Sequence, residues 1–255
     1  MIRLLLTKFK NLLLLLIMSA MVLSSTHTIH ANDYFTYSVI EEPTIETMQQ
    51  RQCEVIIRAG EYQGKAGKRI YINNSTVNIP SDIPIRNDND GKGFYVSEWD
   101  INVKEAKAIV EKLQARGVNA KLQIAYSKSE DLNAAGRIAN KSNPELYVSV
   151  HHNYYDANST GYFSMYNASD SQGKAIADRL SKAISDNGKV PMRESRANDG
   201  YIGELNVINS TTTPVLLELG FFSNLSELEK ICSDAYVQYV STHLANEISN
   251  IVKNN

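Results

Sequence analysis

The sequence is poor in cysteine, proline and tryptophan, with two, six and one among 255 residues. Two cysteines exclude a disulfide-built scaffold and leave open at most one bridge, between Cys53 and Cys232. Neither sign of charge prevails, 26 basic against 28 acidic residues, so the surface lacks the basic excess of a nucleic-acid binder. No Gly-x-Ser-x-Gly elbow, His-Glu-x-x-His helix, phosphate-binding glycine loop or Cys-x-x-Cys pair is present, which leaves the hydrolase and redox chemistries built on them without support. Histidine is scarce as well: of five, none lies between Ala31 and Val150.

Only the first thirty-one residues depart from the composition of an ordinary globular protein. Arg3, Lys8 and Lys10 form a basic start, Leu12 to Leu23 is apolar apart from Ser19, and Ser24 to Ala31 is small and polar. That layout is expected of a cleaved secretory signal peptide, because the apolar core is shorter than the roughly 20 residues that cross a bilayer. Cleavage after Ala31 would leave 224 residues with 23 basic and 28 acidic side chains and no second membrane-spanning run. Residues 32 to 67 read as a lead-in with one possible extra strand, and residues 68 to 255 as the folded domain.

Apolar runs and helical spacing then alternate. Glu54 to Ala59 and Arg69 to Asn73 have strand character around a glycine-punctuated turn. Asn73 to Gly93, rich in proline, asparagine and aspartate, reads as a long loop. A helix is expected from Ser97 to Gly117, a strand over Ala120 to Tyr126, a helix from Asp131 to Lys141, and strands over Leu146 to His151 and Gly161 to Tyr166. A helix from Asp170 to Asn187, an apolar strand over Pro214 to Leu219 and two closing helices complete the chain. This order predicts an α/β fold with a mixed, largely parallel sheet flanked by helices on both faces.

In such sheets ligands gather at the carboxyl ends of strands, where His151 and Glu218 fall. Glu218 stands in Pro-Val-Leu-Leu-Glu-Leu, and a carboxylate there is costly unless it is paired, bound to a metal or used in proton transfer. A structural ion pair with an arginine would also explain it. His151 and His152 point to opposite faces of a regular strand, so one of them belongs under a helix or in a groove wall. His243, in the last helical segment, reads as a packing residue.

Four stretches, Ser97-Glu-Trp-Asp-Ile-Asn102, Arg137-Ile-Ala-Asn140, Ser149-Val-His-His-Asn153 and Glu218-Leu-Gly-Phe-Phe-Ser-Asn224, occur in the order seen in the type 3 family of zinc-dependent N-acetylmuramoyl-L-alanine amidases, which the chain resembles over roughly residues 69 to 252. The resemblance implies the amidase type 3 fold, a zinc cofactor and peptidoglycan as substrate. The reaction it implies is hydrolysis of the amide between N-acetylmuramic acid and the L-alanine of the stem peptide. Glu98 and His151 correspond to zinc ligands, Glu218 to the catalytic glutamate, and Asn153 and Arg137 to candidate substrate-binding residues. A zinc ion with three protein ligands keeps a fourth position for water and polarises a carbonyl. The expected protein is a monomer, secreted and associated with the cell wall, with no nucleic-acid partner and no stable membrane span after cleavage. Tyr154, Tyr155 and Tyr162 are candidates for stacking on sugar or peptide.

One part of the pattern is missing. The family's first ligand is a histidine in Asp-Pro-Gly-His-Gly-Gly directly after the first strand. Taking Arg69 to Asn73 as that strand puts Thr76 in its place, and a neutral hydroxyl is a poor zinc ligand. Asp82, Asp88, Asp90 and His152 are the other candidates for a third ligand. The alternative is an inactive homologue that binds peptidoglycan or a partner protein.

Overall fold

The computed structural model describes residues 52–63, 68–185 and 191–254; the expected signal peptide and most of the lead-in lie outside the described residues. Six strands form the main sheet: β1 (Val55–Ala59), β5 (Ala120–Ile124), β6 (Leu146–Asn153), β7 (Phe163–Asn167), β8 (Arg196–Asn198) and β9 (Thr213–Phe221). Their order is β5-β1-β6-β9-β7-β8. The first four run parallel, β7 is antiparallel to β9, and β8 is parallel to β7, which gives the expected mixed, largely parallel sheet. β2 (Arg69–Tyr71), β3 (Arg86–Asp88) and β4 (Gly93–Ser97) make a separate antiparallel sheet in the order β2-β4-β3. The helices are α1 (Glu98–Ala115), α2 (Leu132–Ser142), α3 (Ser171–Ser185), α4 (Gly203–Asn206), α5 (Leu225–Cys232) and α6 (Asp234–Lys253).

Two sequence expectations change here. Val55–Ala59 is no accessory strand of a lead-in: β1 pairs with β5 on one side and β6 on the other, inside the sheet, so the folded domain begins upstream of residue 68. All five of its residues are buried, the condition of a central parallel strand, and even Arg58 is enclosed. The stretch from Asn73 to Gly93 is not all loop, since β3 lies within it and pairs with β4. Asp88 holds β3 and β2 together by accepting hydrogen bonds from Arg69 Nη1 at 2.8 Å and from the Tyr71 hydroxyl at 2.5 Å.

Alternation along the strands divides the core in two. Val55, Ile57, Leu146, Val148, Val215 and Leu217 meet apolar residues of α1, α3, α5 and α6 on one face; Ile56, Tyr147, Phe163, Met165 and Leu216 meet Ala139 of α2 and Leu205 of α4 on the other. Cys232 belongs to the first layer and Cys53 to the second, with the sheet between them. Both are free and buried, so the possible disulfide is absent. Burial raises both thiol pKa values, that of Cys232 to about 12.

The Glu218 motif shapes the end of β9. Between His151 and Asn153 the partner residues on β9 advance from Glu218 to Phe221, a bulge that accommodates one extra residue. Gly220 adopts φ 141° there, and a Cβ on it would come within 2.7 Å of Ile231. Asn224 caps α5 by accepting from the Ser226 and Glu227 amides, and Ser223 Oγ accepts from the Tyr155 amide while donating to the Asp156 carbonyl. The loop after β6 is thereby tied to the end of β9.

One buried acid has no structural partner. Glu105 of α1 is fully buried, neither carboxylate oxygen has a hydrogen-bond partner, and it lies close enough for its charge to act on Tyr236 of α6. Burial holds its pKa well above the ordinary 4.5. The folded state therefore keeps a proton that the unfolded chain releases, and stability falls as pH rises from about 4.5 through the folded pKa. Glu105→Leu is expected to raise stability at pH 7 by about 1–3 kcal/mol and to flatten that slope, as measured by urea unfolding at acidic and alkaline pH.

Candidate metal centre

Register places the site. Ala59, Val150 and Leu217 are neighbours across β1, β6 and β9, so the next residues, Gly60, His151 and Glu218, stand together at the carboxyl ends of three parallel strands. Alternation sends His151 and Glu218 to the face carrying α2 and α4, and His152 to the face under α1. His152 Nδ1 bonds to Asn102 Oδ1 at 2.8 Å, its Nε2 has no partner, and burial lowers its pKa to about 4. This histidine is a neutral packing residue.

Glu98 is the first residue of α1 and reaches the strand ends from the side. Its amide donates to the carbonyl of Lys68, just ahead of β2, so the small sheet fixes where the helix begins. Glu98 Oε1 accepts from the His152 amide at 3.2 Å and from Asn102 Nδ2 at 3.1 Å, and lies 3.2 Å from His151 Nδ1. Asn102 Nδ2 also donates to the Gly60 carbonyl, which ties α1 to the end of β1.

The third acid is Glu61, directly after β1. Glu61, Glu98 and His151 each offer one ligand atom, and these atoms all lie within 4.8 Å of one another. β1 is the first strand of the main sheet, so Glu61, and not Thr76, is the potential ligand that follows the first strand directly. Thr76 is exposed in the loop after β2. Asp82 pairs with Lys104, Asp88 with Arg69 and Asp90 with Lys92, so these aspartates are engaged elsewhere.

The donor set suits a divalent cation. Two carboxylates and an imidazole are all zinc ligand types, though two oxygens make the set harder than one with two imidazoles. Glu98 Oε2 is buried without a hydrogen-bond partner, as an oxygen reserved for a cation would be. The Lys68 ammonium lies 3.7 Å from it and 3.7 Å from Glu61 Oε1, a balancing charge for both acids. Burial, reinforced by the charge of Glu98, raises the pKa of Glu61. Glu98 is held below the ordinary value, because its hydrogen bond to His151 and the charge of Lys68 overcome burial.

Behind His151 lies a second charged layer. Nε2 is 3.1 Å from Glu204 Oε1, and Glu204 Oε2 is 2.9 Å from Arg58 Nη1. Burial disfavours a charged imidazole, but the bonds to Glu204 and Glu98 outweigh it and push the pKa of His151 to about 10. Glu204 is held at about 2 despite its burial, chiefly by the Arg58 charge. Glu218 is different: its Oε2 has no partner, and burial raises its pKa to about 7 against the opposing charge of His151.

Beside these residues opens a cleft of about 330 Å³, lined by Arg58, Glu61, Tyr62, Asp131, Asn133 and Tyr201 among others. Arg137 is exposed on α2, and Asn153 is half-buried two positions beyond His151. Tyr154 and Tyr155 are exposed at the end of β6, whereas Tyr162 is buried and donates to the Ser181 carbonyl, so it is not available for stacking. Glu61, Arg58 and Glu204 escaped the sequence reading. Arg58 carries the same signal as Glu218, a charge inside an apolar strand; Glu204, on a four-residue helix, carries none.

The family model described as N-acetylmuramoyl-L-alanine amidase matches residues 87–250, a span that starts downstream of Glu61. The uncharacterized protein YqiI of Bacillus subtilis is 28% identical over 165 residues, covering 62% of this chain and 75% of that protein. An uncharacterized cell wall amidase of Bacillus anthracis is 25% identical over 169 residues, covering 59% of this chain and only 30% of that larger protein. Two solved structures share the fold. An N-acetylmuramoyl-L-alanine amidase from Clostridium difficile has TM-score 0.59 and 18% identity, covering 81% of this chain and all of that one. The amidase AmiC2 of Nostoc punctiforme has TM-score 0.60 and 20% identity, covering 79% and 98%.

A Cβ on Gly60 would come within 2.4 Å of Cε1 and Nε2 of His151, so the ring is seated against bare backbone. Gly60→Ala is expected to displace the ring and weaken divalent-metal binding at least about tenfold, read by titration calorimetry.

Proposed function

The chain belongs to the N-acetylmuramoyl-L-alanine amidase family, and from that membership we propose that it is an exported, zinc-dependent hydrolase of the amide between N-acetylmuramic acid and the L-alanine of the stem peptide. The observation that carries the reading is Glu218, a buried carboxylate with a free oxygen and a pKa near 7, on the strand beside a cluster of metal-ligand side chains. Export is supported by the leader-like first thirty-one residues and by the likeness to a cell wall amidase.

Glu61, Glu98 and Nδ1 of His151 would hold the metal. When bound, zinc would polarise the scissile carbonyl and the attacking water. Glu218 takes the proton from that water and delivers it to the leaving amine nitrogen, work suited to a group that exchanges protons near neutral pH. Its free oxygen is available to the water because no donor among the described residues claims it. The cleft beside Glu61, with Tyr62, Asn133 and Tyr201, accommodates part of the substrate, and Tyr154 and Tyr155 offer exposed rings for stacking. Arg137 and Asn153 remain candidates for substrate contact. The protein acts as a monomer.

The replacement of the first histidine by Glu61 favours a second reading, a homologue that binds peptidoglycan without cutting it. Digestion of purified peptidoglycan separates the two. Hydrolysis that releases L-alanine amino termini, stops on chelation and returns with zinc supports the amidase; binding without hydrolysis under all metal conditions supports the second reading. Glu218→Gln is expected to reduce turnover about 10²- to 10⁴-fold. It should also raise the thermal midpoint, because an unpartnered buried charge is removed. Manganese is expected to support more activity, relative to zinc, in the natural protein than in Glu61→His, as assayed on metal-stripped samples.

A further inference from the structure

We propose that Glu204 is a positioning residue for His151: it accepts the Nε2–H of the imidazole, so that the proton a metal would displace is the one on Nδ1, the nitrogen facing Glu98. The inference rests on the reading of His151 as a metal ligand and adds to it the group that prepares this ring for the task.

Glu204 is fully buried, and every direction around its carboxylate is occupied. Oε1 accepts from Ser149 Oγ at 2.9 Å and lies 3.1 Å from His151 Nε2; Oε2 accepts from the Tyr147 hydroxyl at 2.9 Å and lies 2.9 Å from Arg58 Nη1. Four polar groups against two oxygens leave the carboxylate one orientation. Three of them, from Tyr147, Ser149 and His151, come from alternate residues on one face of β6, so the acid is locked to the strand that carries the ring. A hydrogen bond at one ring nitrogen decides which nitrogen keeps a free lone pair, and carboxylates that hold ligating histidines in this way raise metal affinity.

The segment presenting Glu204 is fixed independently of the acid. Asn140 of α2 donates to the Val207 carbonyl and accepts from the Asn209 amide, Asn167 of β7 donates to the Leu205 carbonyl, and Asn198 of β8 accepts from the Ile202 amide. A Cβ on Gly136 of α2 would come within 2.6 Å of the Glu204 carbonyl, so α4 lies against bare helix backbone. Three asparagines and a glycine thus set the height of a four-residue helix whose buried acid reaches His151.

Removing Glu204 alone would strand the buried Arg58 guanidinium, so the test uses double variants. Arg58→Met with Glu204→Gln keeps an acceptor for Nε2–H, and Arg58→Met with Glu204→Met removes it. Zinc affinity by titration calorimetry is expected to be about ten- to a hundredfold weaker in the second than in the first. Nitrogen-15 spectra of the zinc-loaded proteins are expected to show His151 protonated at Nε2 in the natural protein and in the first variant, with that fixed tautomer lost in the second. Gly136→Ala, which lifts α4 without altering the acid, should weaken zinc binding in the same direction. Equal affinity and equal tautomer in the two double variants, with zinc uptake still abolished by His151→Ala, would overturn this proposal alone. Zinc uptake unaffected by His151→Ala, or no uptake by the natural protein, would overturn the metal-ligand reading and this inference with it.

Discussion

Parallel register across β1, β6 and β9 is the constraint on which the rest depends. Because Ala59, Val150 and Leu217 are level, the residues that follow them, Gly60, His151 and Glu218, lie side by side where β1 ends. A slip of one residue on β6 would exchange His151 for His152 and turn the imidazole that now faces Glu98 and Glu204 into the opposite layer. Packing on both faces opposes such a slip, since it would also invert Tyr147, Val148 and Val150. Packing energy spread along the strands therefore fixes a handful of polar atoms at their ends.

Charge inside this frame alternates in sign. Arg58, Glu204, His151 and Glu98 follow one another from the interior outward, with Lys68 bridging Glu98 and Glu61 at the rim. No member would tolerate burial alone, and truncating one leaves its neighbour's charge unbalanced. Such a chain adds little net stability, yet it admits few alternative arrangements. Glu218 stands outside it, with a buried carboxylate oxygen that no hydrogen-bond donor among the described residues reaches.

What the sequence discloses depends on how far each meaning rests on long-range pairing. β6 and β9 are legible because unbroken apolar runs end in residues that do not belong in a core, and α1 because its apolar spacing is regular. Glu61 was passed over because Arg69 to Asn73 has equal strand character, and only the sheet order reveals Val55–Ala59 as the inner strand. β3 hides in a stretch with loop composition, its pairing secured by Asp88, Arg69 and Tyr71 rather than by an apolar run. Glu204 is illegible for a deeper reason: nothing near it in the chain needs a carboxylate, and the groups that do are 55, 57 and 146 residues away. The Arg-Ile-Ala-Asn stretch was legible as a motif and not as a device, because the work of Asn140 is done on the segment that carries α4.

The position of the two cysteines on opposite sides of the sheet bears on how the chain matures. Under the proposed export the chain would meet oxidants before it is compact, and only during that interval would Cys53 and Cys232 be within reach of each other or of another chain. Once the layers close, both thiols are enclosed and held in their protonated, unreactive form. Under the export proposed above, folding itself would protect the thiols, and a bridge formed early would staple two layers that must end up apart.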